Sequence, residues 1–320
     1  MPQDPTAFPR RAIPNTAIES QWHARDGHAI RRIDWPVSGA GQRGSILFLP
    51  GRCDYYEKYL ETLDGWSEQG WNVTASDWRG QSGSGRFSAE LYTGDVPDFG
   101  IWVDDLAQLW ARWIAETPGP HVLIAHSMGG HLAMRAVAEG KITPDALVLS
   151  TPMLGFLDKR VPAWVMHAAA WMMTKLGDPK RQAWKWGEKP RQLPEGRELL
   201  LTHDMHRYAD EIWWREHRPY LAMGPASWRW VERAYASVRG LGRKGLLESL
   251  QLPVLIVGTD HDGLVSFAAI EDYVRRLPQG ELCRFGPEAR HEILREIDPV
   301  RDKALAAISA FLDRTVPGRP

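Results

Sequence analysis

The chain has 320 residues, 43% of them hydrophobic and 25% charged, with a formal net charge of −1. That composition suits one sizeable α/β domain carrying an insertion, and it offers no charge excess for a nucleic-acid partner. Two cysteines, Cys53 and Cys283, make no disulfide framework and fit a reducing, cytoplasmic compartment; no stretch approaches the ~20 apolar residues of a membrane span, and the N-terminus lacks a signal-peptide core.

Taken in order, residues 1–16 are proline-rich and read as an extended arm. Trp22 to Trp35 reads as two strands around the Asp26-Gly27 hairpin signal. Ser45-Ile-Leu-Phe-Leu-Pro50 is a buried strand, followed by Gly51-Arg-Cys-Asp54 and a helical stretch from Tyr55 to Gly70. Trp71 to Asp77 gives the next strand, ahead of the glycine-rich segment 79–85. Residues 99–116 are an amphipathic helix with Ile101, Leu106, Leu109, Trp110 and Trp113 inward. A strand at Val122–Ile124, a helix from about His131 to Ala138 and a strand at Ala146–Ser150 complete the first half. The alternation resumes with a strand at Pro253–Gly258, a helix over 267–277, a strand at Glu281–Phe285 and a last helix from about Glu292 to Leu312. Strands alternating with helices predict a mostly parallel sheet covered on both faces.

Between Pro152 and Gly245 the pattern breaks, with no convincing strand and eight of the sixteen tryptophans. The spacing therefore predicts core residues 1–151 and 246–320 interrupted by a helical cap, 152–245. That segment holds seventeen Lys and Arg against ten Asp and Glu, so it is about +7 while the remainder is about −8. Val161–Met173 is apolar almost all round, and Trp184 and Trp186, set among Lys180, Arg181, Lys185 and Lys189, look most like a surface anchor. The expected roles are an acyl pocket and peripheral contact with an anionic membrane, because tryptophan favours the interface and basic residues attract anionic headgroups.

The chemistry centres on Leu123-Ile-Ala-His-Ser-Met-Gly-Gly130. A serine between a buried strand and a small-residue helix start has its hydroxyl pushed out above the sheet, the nucleophile-elbow arrangement of α/β-hydrolases. Ala125 stands where that pattern usually has glycine, and a serine there otherwise reads as a helix cap. Ser127 needs a base and an acid, which in this arrangement follow in chain order beyond later strands. His291, in Ala289-Arg-His-Glu292, is the expected base and is placed at the opening of the last helix. His121, His126 and His131 lie near Ser127 in sequence but are directed elsewhere by the elbow. Asp260 and Asp262 both lie on the right loop; Asp262, directly before Gly-Leu-Val-Ser266, is preferred as the acid, the other being a capping carboxylate. The backbone N–H groups of Met128 and Arg52 are the expected oxyanion hole, with no role for the Arg52 side chain.

Several motifs carry a wider resemblance: Pro50-Gly-Arg with Glu57-Lys-Tyr59, Asp77-Trp-Arg-Gly-Gln81, His126-Ser-Met-Gly-Gly130, Pro152-Met-Leu-Gly155 and Ala289-Arg-His-Glu292. Over about residues 20–315 the chain resembles the monoglyceride lipase and bacterial lysophospholipase branch of the α/β-hydrolases. Leu201-Thr-His-Asp204 with Arg207-Tyr208, and Gly224-Pro-Ala-Ser-Trp228, resemble the cap of the bacterial lysophospholipases. Departures are Ala125, Pro50 where the family often has histidine, and Pro225-Ala-Ser for its usual Gly-Pro-Thr. The resemblance implies a serine ester hydrolase for lipid-like carboxylic esters, working through an acyl-enzyme with no metal or organic cofactor. Two alternatives stay open. One is an aminopeptidase-like hydrolase, for which Asp210-Glu211 would hold the substrate ammonium unless it is a solvated helix face. The other is a non-catalytic ligand-binding protein on the same fold.

Overall fold

The computed structural model describes residues 8–37, 41–157, 161–184 and 196–317. Gly27, at φ 82°, turns the chain between β1 (Ile18–His23) and β2 (Ala29–Trp35). Six further strands follow: β3 (Gly44–Leu49), β4 (Trp71–Ser76), β5 (His121–His126), β6 (Ala146–Ser150), β7 (Val254–Thr259) and β8 (Gly280–Phe285). All eight form one open sheet in the order β1-β2-β4-β3-β5-β6-β7-β8. β2 pairs antiparallel with β1 and β4, and every other neighbouring pair is parallel.

The central strands read as unbroken apolar runs because both their faces are covered. With side chains alternating along a strand, Leu47, Leu49, Leu123, Leu147 and Ile256 join one core. It is roofed by α2 (Phe99–Glu116), α3 (Ser127–Ala138), α7 (Trp228–Leu241) and α8 (Phe267–Arg276). Ile46, Phe48, Val122, Ile124, Val148 and Leu255 join the other, under α1 (Leu60–Glu68) and α9 (Asp298–Thr315). The chain runs from β3 outward to β4, then returns to place β5 on the opposite side of β3. That reversal opens a crevice at the carboxyl ends of β3 and β5, where α/β sheets place their ligand sites.

One boundary differs from expectation. The last helix begins at Asp298, not near Glu292; residues 293–295 form a separate 3-10 turn, and His291 lies in the loop before it. A helix begun at 292 would hold Pro299 in its interior, without an N–H and clashing with the preceding turn. Starting at Asp298 puts the proline in the first turn, where neither defect matters.

Between β6 and β7 the described residues form helices α4 (Ala163–Lys175), α5 (Glu198–Leu201), α6 (Met205–His217) and α7, with no strand longer than isolated bridges. The aromatics of this segment divide by depth. Trp214 and Trp230 are buried, whereas Trp164, Trp171 and Trp184 are more than half exposed; Trp186, Lys185 and Lys189 lie outside the described residues. On α4 only His167 and Ala170 are buried, His167 facing Glu232 of α7 at 3.1 Å. The N-terminal arm is tied to the same segment: Arg10 and Arg11 each reach Asp210 at 2.6 Å, and Trp214 donates to the Arg10 carbonyl. Among the described residues no helix is long and apolar enough to cross a membrane.

The inner stripe of α2 carries much of the first core, and Trp113 is its most deeply placed member, fully buried with its indole N–H 3.0 Å from Thr74 Oγ1. Trp113→Ala leaves a large void and removes one of the two hydrogen bonds of the Thr74 hydroxyl, which still donates to Asp34. Urea unfolding should show a loss of roughly 3–5 kcal/mol.

Candidate active site

Ser127 stands at the junction of β5 and α3 with φ 52°, a left-handed value that a residue with a Cβ rarely adopts. The turn is held from outside. A Cβ on Gly129 would lie 2.3 Å from the Pro50 carbonyl oxygen, and one on Gly130 would meet Pro152 at 2.9 Å. Gly51 brings the β3 loop against the serine, its own would-be Cβ 3.0 Å from Ser127 Cβ. The 129–130 glycines are therefore steric requirements, while Ala125 takes the first elbow position as a fully buried member of the core.

Ser127 Oγ lies 2.9 Å from His291 Nε2, and His291 Nδ1 lies 2.7 Å from Asp262 Oδ2. The carboxylate accepts from Nδ1–H, so Nε2 is left as the acceptor for the serine hydroxyl. Asp262 is fixed in turn by the N–H groups of Leu264 and Val265, at 2.7 and 2.9 Å. Burial alone would push its pKa up; the charge and hydrogen bond of His291, with those two N–H groups, outweigh burial and lower it. Burial works against a charged His291, yet the Asp262 carboxylate and its hydrogen bond raise that imidazole above its ordinary value. Asp260 sits apart, exposed and paired with Arg284 at 2.6 Å and with His261.

Of the other histidines two are placed elsewhere, whereas His126, contrary to expectation, lies at the site. His121 binds the Thr117 carbonyl and His131 binds Ser237 Oγ at 2.7 Å. His126 is buried beside His291, ring centroids 4.9 Å apart, with its Nδ1 3.2 Å from Thr151 Oγ1. Burial, reinforced by the neighbouring His291 charge, pushes His126 down to about 4, so it stays neutral near pH 7. Thr151 is another left-handed residue (φ 42°), and its hydroxyl donates to the His291 carbonyl at 2.7 Å. Met153 N–H donates to the Ser127 carbonyl at 3.0 Å, so the Pro152-Met-Leu-Gly155 motif braces the elbow.

In the loop after β3, Gly51 N–H donates to Asp54 Oδ2 and Cys53 N–H to Gln81 Oε1. Among the described residues none accepts from the intervening Arg52 N–H. Met128 is in the first turn of α3, where N–H groups have no partner within the helix.

Beneath this loop lies an ionic cluster that the sequence did not disclose. Lys58, almost wholly buried, reaches Asp54 at 3.0 Å, Glu211 at 3.1 Å and Glu292 at 2.6 Å. Glu211 also holds Arg197 at 2.9 Å and Arg215 at 2.8 Å. Burial disfavours each of these carboxylates as an anion, but Lys58, joined by arginines at Glu211 and Glu292 and by the Gly51 N–H and Tyr59 hydroxyl at Asp54, holds all three below their ordinary values. The available signal was Glu57-Lys-Tyr59, whose role is to join the β3 loop, the residue after His291 and α6. Asp210-Glu211 is therefore not a solvated helix face: both residues are buried and neutralised, Asp210 by Arg10 and Arg11.

Ser127, His291 and the β3 loop open onto a cavity of about 490 Å³. Its apolar wall includes Met153, Phe156, Leu200, Met223, Leu264 and Trp230. Trp184, about half exposed, also lines this cavity. Among the described residues no group of three or more His, Cys, Asp or Glu is arranged to hold a metal ion.

A doubly covered sheet with a serine elbow at its switch point defines an α/β-hydrolase. Residues 40–298 match the Hydrolase_4 family (serine aminopeptidase, S33), and the chain belongs to that family. Lysophospholipase L2 of Escherichia coli K12 is 27% identical over 322 residues, covering 92% of this chain and 89% of that protein. Probable lysophospholipase L2 of Haemophilus influenzae is 26% identical, covering 89% of this chain and 88% of that protein. In fold, a soluble variant of Saccharomyces cerevisiae monoglyceride lipase, solved with a substrate analogue, superposes with a TM-score of 0.72 at 18% identity, covering 97% of this chain and 99% of that one. The Paleococcus ferrophilus monoacylglycerol lipase gives 0.66 at 18% identity, with 89% and 98% covered. These are the relatives expected of the monoglyceride lipase and lysophospholipase branch.

Two substitutions test this architecture. Gly129→Ala forces a methyl into the Pro50 carbonyl and should lower Tm by several degrees while displacing the serine. Lys58→Met leaves Asp54 without its cation in the interior, and chemical unfolding should register a loss of about 3–5 kcal/mol.

Proposed function

We propose that the protein is a serine hydrolase that cleaves carboxylic esters of lipids, lysophospholipids or monoacylglycerols, through an acyl-enzyme. The observation that carries this reading is the continuous Asp262–His291–Ser127 relay, 2.7 and 2.9 Å long, opening into an apolar cavity. His291 takes the Ser127 proton as Oγ attacks the ester carbonyl, and Asp262 stabilises the imidazolium without itself being protonated. The N–H groups of Arg52 and Met128 receive the oxyanion; a donor of this kind is typically worth about 3–4 kcal/mol of transition-state stabilisation. His291 then returns the proton to the departing alcohol, and a water activated by the same histidine releases the acid. The names of the lysophospholipase L2 and monoglyceride lipase relatives support a lipid ester over other acyl substrates.

The aminopeptidase reading is less well supported, because both carboxylates proposed to hold an ammonium are already neutralised and neither lines the cavity. The complete relay weighs against a purely ligand-binding role. Residues 152–245 act as the cap, contributing Phe156, Leu200, Met223 and Trp230 to the cavity wall. The exposed aromatics of α4, Trp164 (73% exposed) and Trp171 (53%), with Met172 and Leu176, form the face that meets a lipid surface, beside Lys175, Lys180 and Arg181. Cys53 and Cys283 are free thiols, in keeping with a reducing cytoplasmic compartment.

Ser127→Ala should fold normally and lose labelling by a fluorophosphonate probe; undiminished labelling refutes the assignment. Since His291 must be neutral to act as base, kcat/KM should rise with pH through a midpoint above 6.5 and level off at alkaline pH. Asp262→Asn should lower turnover by roughly 10³–10⁴-fold and move that midpoint down, whereas Asp260→Asn should do neither. For the lipid-facing surface, wild type should sediment with anionic vesicles more than with neutral ones, and high salt should release it. A Trp164→Ala, Trp171→Ala variant should lose sedimentation yet keep its activity on a short monomeric ester.

A further inference from the structure

The cavity wall contains three arginines, and they differ in one respect. Arg197 and Arg215 are both tied to Glu211, and the acidic residues of the wall, Asp54 and Glu292, are both tied to Lys58. Among the described residues Arg52 has no carboxylate within ion-pair distance. Its guanidinium is nonetheless held in place. Nη2 donates to the Gly224 carbonyl at 2.7 Å, and the cation lies 5.0 Å from the Trp230 ring centroid and 5.7 Å from that of Trp184. Gly94 leaves room for it, since a Cβ there would come 2.7 Å from Nη2. Nε is buried and has no hydrogen-bond partner among the described residues. A half-buried cation held beside two indoles, with no counter-ion among the described residues, is poised for an anion brought by the ligand.

Resting on the ester-hydrolase reading above, we propose that the Arg52 side chain binds the headgroup phosphate of the substrate, making this site selective for lysophospholipids over neutral monoacylglycerols. The position of Arg52 in the chain identifies which anion. Its own N–H is the one assigned to the ester oxyanion, so the side chain departs from the ester end of the cavity, where the alcohol portion lies. A phosphate on that alcohol supplies the anion, whereas the carboxylate of the released acid sits at the oxyanion hole itself. The Gly224-Pro-Ala-Ser-Trp228 motif gains a role, because its first carbonyl aims the guanidinium. The motif is itself anchored, with Ser227 Oγ 2.6 Å from Asp95 Oδ1 and Ser227 N–H donating to the Gly94 carbonyl.

The test compares 1-decanoyl-lysophosphatidylglycerol with 1-decanoylglycerol, both as monomers so that surface charge plays no part. In Arg52→Gln the ratio of the two kcat/KM values should fall by roughly tenfold or more, mainly through KM of the phosphate ester, and Arg52→Lys should restore part of it. An equal loss on both substrates overturns the proposal and leaves Arg52 only a structural part of its loop. With the unaltered enzyme, the non-hydrolysable 1-decyl ether of lysophosphatidylglycerol should inhibit roughly tenfold more tightly than 1-decylglycerol. Equal inhibition also overturns the proposal, whether or not the variants fold. Hydrolysis of both esters by the wild type with an unchanged ratio in Arg52→Gln refutes this inference alone; hydrolysis of neither refutes the lipid-ester reading beneath it.

Discussion

Everything at the site depends on the close passage of the β3 loop over the start of α3. Pro50 and Gly51 lie so near the helix that position 129 has no room for a Cβ, and that contact holds Ser127 at φ 52°. A left-handed serine is costly in isolation and persists because its surroundings over-determine it. Pro152 closes the turn from the other side, and Met153 takes the Ser127 carbonyl. The hydroxyl therefore meets His291 without any side-chain rearrangement.

The same loop is anchored from below by charge. Asp54 accepts from Gly51 N–H and from Tyr59 and faces Lys58, which in turn holds Glu292, the residue next to His291. A lysine this deeply buried is tolerable only because three carboxylates surround it, and those anions only because Lys58 and the arginines answer them. The arrangement couples the loop carrying the Arg52 N–H to the segment carrying His291, two parts of the chain more than 230 residues apart. Its contribution is positional: it fixes the Arg52 N–H and the His291 imidazole relative to one another, and in the proposed mechanism small displacements there cost rate.

The inserted segment has two apolar surfaces with different surroundings. Trp230 is buried beside Arg52 and the half-exposed Trp184 lines the same cavity, while the aromatics of α4 face outward. Packing explains the division. α4 rests on α7 through His167 and Ala170, and a helix apolar on nearly every side then leaves most of that surface uncovered.

The sequence by itself determined the sheet strands, the serine elbow and the order of serine, aspartate and histidine. Those features are written locally: buried runs such as Ile46–Leu49, the small residues after Ser127, and strand ends followed by loops. It also singled out Asp262 through the Gly-Leu-Val-Ser that follows, and in the fold those N–H groups bind its carboxylate. Only the tertiary structure decided which charges meet. Periodicity records burial and direction along one element, but not which distant element faces it. Lys58 and Glu292, or Asp210 and Arg11, are invisible as pairs until the loops and α6 are packed together. The Arg52 side chain was discounted for the same reason, since the indoles that frame it belong to the insertion. The last helix shows the converse case, a local signal overlooked: Pro299 marked its first turn all along, and the steric rule for proline places the boundary at Asp298.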